Sequence, residues 1–133
     1  MTPSFDWVTA RSECSLNRFF DLLRERIDTD VKKINELNRR GIKFTLNTDI
    51  SADKLIVSRE RDCGAIAEHL AIVFERHENS ISIRKRAAQI DEALFDGAPT
   101  MNEHGECVFT VGDDSLRIWQ VSRKALESLF FQY

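Results

Sequence analysis

The stretch Asp49–Glu60, DISADKLIVSRE, sets Asp49, Ser51, Asp53, Leu55 and Glu60 at the spacing by which a twelve-residue loop holds calcium. Lys54 stands where that loop needs glycine for its sharp turn, and the preceding IKFTLN alternates like a strand instead of an entering helix. A polar turn leading into a strand is therefore expected, with no metal. Cys63, His69, His104 and Cys107 supply the donor inventory of a tetrahedral zinc site, but their spacings match no zinc pair. No serine in a glycine-flanked elbow, no cysteine with a supporting histidine and no phosphate-cradling glycine loop can be read out. No catalytic residue and no cofactor are assigned.

Two sets of residues remain as binding candidates. Arg84, Lys85 and Arg86 follow a Ser-Ile-Ser-Ile alternation and form a weak candidate anion site. No aromatic residue interleaves with them to stack a base, and Glu75 is placed to offset part of their field. The chain carries a net charge of -3, and residues 87 to 133 hold eight acidic against three basic side chains, a balance that disfavours nucleic acid as a partner. Trp119, with Val108 and Val121, forms the second set. In the reading of CVFTV and LRIWQV as a hairpin about GDDS, these three share the face opposite Phe109, Val111, Leu116 and Ile118. A second apolar face must be covered by a helix of the same chain or by a partner.

The elements that position these residues follow from periodicity. Leu16, Phe20, Leu23, Ile27, Val31, Ile34 and Leu37 recur at steps of three and four, which predicts one long amphipathic helix. Ser12 or Ser15 can cap it, Gly41 after Arg39 and Arg40 can end it, and Asp28–Asp30 is the place for a bend. Period-two alternation then marks strands at 42–47 and 54–60. Segment 65–77 is ambiguous between helix and strand, with a strand favoured from Leu70 that turns near Glu78 and Asn79 and returns through 80–86, which sets Phe74 and Ile83 on one face and Glu75 across from Ser82 and diagonal to Arg84. Segment 87–96 reads as a short helix stopped by Gly97 and Pro99, with a strand as the fallback. Ser122 is expected to cap a final helix carrying Leu126, Leu129, Phe130 and Tyr133.

A chain of 133 residues with this composition suits a single α+β domain over 1–133. The expected architecture is a long N-terminal helix on a mainly antiparallel sheet of five or six strands, closed by a short C-terminal helix. The longest apolar runs fall far short of the roughly 20 residues that span a bilayer. Three widely spaced cysteines suggest reduced, buried thiols and a cytoplasmic setting. The leading expectation for function is a non-enzymatic intracellular protein-interaction module that self-associates through an apolar sheet or helix face. The alternatives are a ligand-binding or enzymatic pocket between helix and sheet, and a nucleic-acid accessory protein using 84–86.

Overall fold

The computed structural model describes residues 4–37, 41–48, 53–63 and 66–132. A short helix α1 (Trp7–Glu13) and a long helix α2 (Leu16–Leu37) precede seven strands, and a helix α3 (Ile118–Phe131) follows them. The strands are β1 (Lys43–Thr48), β2 (Lys54–Cys63), β3 (Ile66–Arg76), β4 (Ile81–Ala87), β5 (Ile90–Met101), β6 (Cys107–Val111) and β7 (Asp114–Leu116). They pair antiparallel in chain order from β1 to β7, and α2 and α3 lie side by side on one face. The fold is α+β, with one strand more than the upper expectation.

Alternation along the strands decides which side chains meet the helices. Leu55 and Val57 of β2, Ile72 and Phe74 of β3, and Ile81 and Ile83 of β4 join the buried α2 stripe of Phe20, Leu23, Ile27, Val31 and Ile34. Phe19 stacks on Phe109 of β6 with centroids 5.4 Å apart, while Phe130 of α3 meets Phe44 of β1 edge-on at 5.0 Å. The two aromatic pairs thus tie the helix layer to opposite halves of the sheet. Asn35 of α2 adds a polar tie to β1, because its side-chain amide donates to the Phe44 carbonyl at 2.9 Å and accepts from the Phe44 N–H at 3.0 Å. Those backbone groups lie on an edge strand, and the amide stands in for a missing neighbour.

Several expectations need correction. The long helix does not bend at Asp28–Asp30. There Lys32 pairs with Asp28 and Arg26 with Asp30 at helical spacing, which supports the local turn. The break falls earlier, at Cys14 and Ser15, where the Ser15 hydroxyl accepts from the Arg18 N–H and caps α2. Arg39 and Arg40 lie outside the described residues, and Gly41 adopts φ 74°. Segment 87–96 is not helix but the end of β4, a turn at 88–89 and the start of β5, whose residues 90–97 pair along β4 and 98–101 along β6. Pairing along β4 outweighs a weak helical preference. Gly97 and Pro99 accordingly lie inside β5 instead of stopping a helix. A Cβ on Gly97 would run into the Thr110 carbonyl and sit 2.8 Å from the Phe109 ring, so glycine is what lets that ring lie over the strand. The 65–77 segment is strand from Ile66, and the turn at Glu78 and Asn79 gives the expected Phe74–Ile83 register.

The cysteines also differ from expectation. Cys14 and Cys107 form a disulfide across 93 residues, with Cα atoms 5.4 Å apart. Cys14 is buried, as the sequence suggests, but it is not a free thiol. The bond joins the α1–α2 junction to the start of β6, and α1 itself contributes no buried side chain.

Two measurements test these attachments. Asn35→Ala leaves a part-buried N–H and C=O of Phe44 without partners and is expected to lower unfolding free energy by about 1–3 kcal/mol in urea titrations. Alkylation of the unfolded chain without reductant should label one of its three cysteines, and Cys14→Ser should cost about 2–4 kcal/mol because a long loop is no longer closed.

Candidate functional site

Helix α3 begins at Ile118, where the Gln120 side chain accepts from the Arg117 N–H at 2.7 Å. The expected hairpin therefore ends at Leu116, and Trp119 and Val121 belong to a helix instead of a return strand. Helical geometry then separates them by about 200°. Val121 points into the core and is fully buried, Val108 on β6 is buried as well, and Trp119 remains 45% exposed. Of the three candidate interface residues, Trp119 alone reaches the surface.

Trp119 opens onto a groove between α2 and α3 with a volume of about 340 Å³. Leu37 at the end of α2 and Phe131 at the end of α3 line the same groove and are 62% and 66% exposed. Ile34, Leu126 and Phe130 form its buried floor. Charges of both signs edge it: Arg26 pairs with Asp30 at 3.1 Å along α2, and Arg123 with Glu127 at 3.0 Å along α3. The two helices are joined beneath by Ser122, expected as a cap but in fact buried within α3, whose hydroxyl donates to Asp30 at 2.7 Å. Periodicity assigns Leu37 to the core stripe and does not single out Phe131. The Phe130-Phe131 doublet is the available signal, because neighbours about 100° apart on a helix cannot both face the core.

The far end of the groove is held from below. Arg59 on β2 is 5% exposed, and its guanidinium donates to the Leu129 carbonyl at 2.8 Å and the Gln132 carbonyl at 2.9 Å. A cation on the last carbonyls of a helix is favoured both by the hydrogen bonds and by the helix dipole. It fixes the turn that carries Phe130 and Phe131.

The other candidates separate in the structure. Alternation along β4 sends Lys85 to the helix-covered side and Arg84 and Arg86 to the outer side, so the basic run is not one cluster. Glu75 lies opposite Ser82, as expected, but the partner of Arg84 is Asp91 on β5 at 2.8 Å. Strand β5 brings a carboxylate nearer than the diagonal one, and both side chains remain part-exposed. Asp49 and Ser51 of the calcium-like stretch lie outside the described residues. Lys54–Glu60 is extended strand, which carries Glu60 away from Asp53, and Asp53 pairs with Arg76 at 2.5 Å. Cys107 is bonded to Cys14, and His104 sits exposed in the turn between β5 and β6. Among the described residues no three histidine, cysteine or carboxylate side chains converge as a metal site. No described helix is long and apolar enough to cross a membrane.

The chain matches no protein-family model, no curated protein and no solved structure.

Arg59→Met removes two charge-assisted hydrogen bonds while keeping an apolar stem, and is expected to cost about 2–4 kcal/mol. Hydrogen exchange should report the loss first at Ser128–Gln132, with the amides of β2 and β3 still protected.

Proposed function

We propose that the chain is a protein-interaction module without catalytic activity, and that the α2–α3 groove is its docking face for a second copy of itself. The observation that carries this reading is the convergence of Trp119, Leu37 and Phe131 on one groove, each with much of its surface in water. Large apolar side chains gathered in this way mark interfaces far more often than single exposed residues do. A two-fold contact requires a patch complementary to itself. The charges of the groove support such a contact, since each helix offers both signs, Arg26 with Asp30 and Arg123 with Glu127, around an apolar centre.

Two further points bear on partners and setting. The separation of Lys85 from Arg84 and Arg86, and the pairing of Arg84 with Asp91, weaken the basic strand as a phosphate-binding surface. The cytoplasmic setting rested on free thiols, and the Cys14–Cys107 bond argues instead for surroundings that oxidise thiols.

Sedimentation equilibrium tests the docking face. The wild-type chain should associate, and Trp119→Ala and Phe131→Ser should each weaken association about 30-fold or more, the effect of losing a central anchor. Circular dichroism should show both variants folded. A chain that stays monomeric at every accessible concentration, or associates equally well with both substitutions, would overturn the reading.

A further inference from the structure

On the other side of α3 lies a second cavity, of about 280 Å³, between the last turns of that helix and strands β2 to β5. Ile72 and Leu129, both buried, form its apolar floor, and Leu70 and Leu94 extend the wall. Three cationic side chains line it, Arg59, Lys85 and Lys124, against a single carboxylate, Glu92. This excess of positive charge occurs in a chain whose net charge is -3. We infer that the cavity binds a small apolar carboxylic acid in its ionised form, with the carboxylate held between Lys85 and Lys124 and the hydrocarbon body against Leu70, Ile72 and Leu129.

The three cations have different duties. Arg59 is committed to the carbonyls of Leu129 and Gln132, so it cancels the negative end of α3 that would otherwise repel an anion at this spot. Lys85 is the one member of the basic run that strand alternation turns inward, and it faces Glu92 directly across the β4–β5 pair. Lys124 extends from α3 over the ring of Phe95, with its ammonium 5.4 Å from the ring centre. An ammonium on a flexible stem can swing to a ligand while its methylenes stay against apolar surface. At the roughly 30 Å³ that one water-sized group occupies, the cavity holds on the order of ten non-hydrogen atoms. A lysine pair beside an apolar wall recognises an anionic head joined to a hydrocarbon body, and the volume suits a short chain or one ring. The inference is independent of the docking face, which opens on the opposite side of α3.

Octanoate is the probe, read by backbone amide shifts and by calorimetry on the whole chain, with octylamine as the charge-reversed control. Octanoate should give saturable shifts in Leu70–Ile72, Lys85, Glu92–Leu94 and Lys124–Leu129, and octylamine should not. Lys85→Met and Lys124→Met, which keep the stems, should each weaken octanoate binding about tenfold, while Trp119→Ala leaves it unchanged. Equal response to octylamine, shifts centred on Trp119 and Phe131, full affinity in both methionine variants, or no saturable response would each overturn the inference.

Discussion

Burying the guanidinium of Arg59 is a constraint that the surrounding structure has to satisfy. A cation removed from water costs several kcal/mol unless its donors find acceptors, and here the acceptors are main-chain carbonyls at the end of α3. The helix must therefore stop close to where it does and lie close to where it lies, or these two hydrogen bonds are lost. At the other end of the sheet Arg76 plays a related part for α2. It donates to Asn17 at 2.6 Å, pairs with Asp53, and lies over the Phe20 ring at 5.9 Å. One arginine on β2 and one on β3 thus dock the two helices from below, while Ser122 and Asp30 join them to each other.

Helix α3 is also where the candidate surfaces divide. Residues at steps of three and four from Trp119, namely Arg123, Leu126 and Phe130, turn toward α2. Lys124, Ser128 and Gln132, one residue further round, turn toward the second cavity. Ala125 and Leu129, buried at the floor of that cavity, hold the helix to the sheet. A substitution on one side consequently reaches the other through the rigid body of the helix and not through shared contacts.

The long helix, the antiparallel sheet and the Phe74–Ile83 register were legible because they depend on hydrophobic period, which a single sequence displays in full. Residues 87–96 were not, since the local pattern of Ala87, Ile90 and Leu94 suits a helix and the deciding partner is the neighbouring strand β4. The start of α3 was misplaced because LRIWQV carries β-branched and aromatic residues yet turns helical at Ile118. That error put Trp119 on a sheet face together with Val108 and Val121, whereas it lies on α3 and those two are buried. The disulfide was invisible for a different reason. Three cysteines with no recognisable spacing give no pairing, and only the folded chain brings Cys14 against Cys107. The role of Arg59 was half hidden, as its phase with Leu55 and Val57 puts it on the covered face but does not name the carbonyls that it meets.

Because the strands lie in the order in which they occur along the chain, each can pair with a neighbour already synthesised as the polypeptide emerges. The helices have no such convenience. The apolar stripe of α2 is made early, yet α3, which packs alongside it and bonds to Asp30 from 92 residues away, comes after every strand. During vectorial synthesis at about 5–20 residues per second, a long amphipathic helix spends several seconds without its full cover. That cover is complete only when α3 has been made and its last carbonyls reach the Arg59 guanidinium.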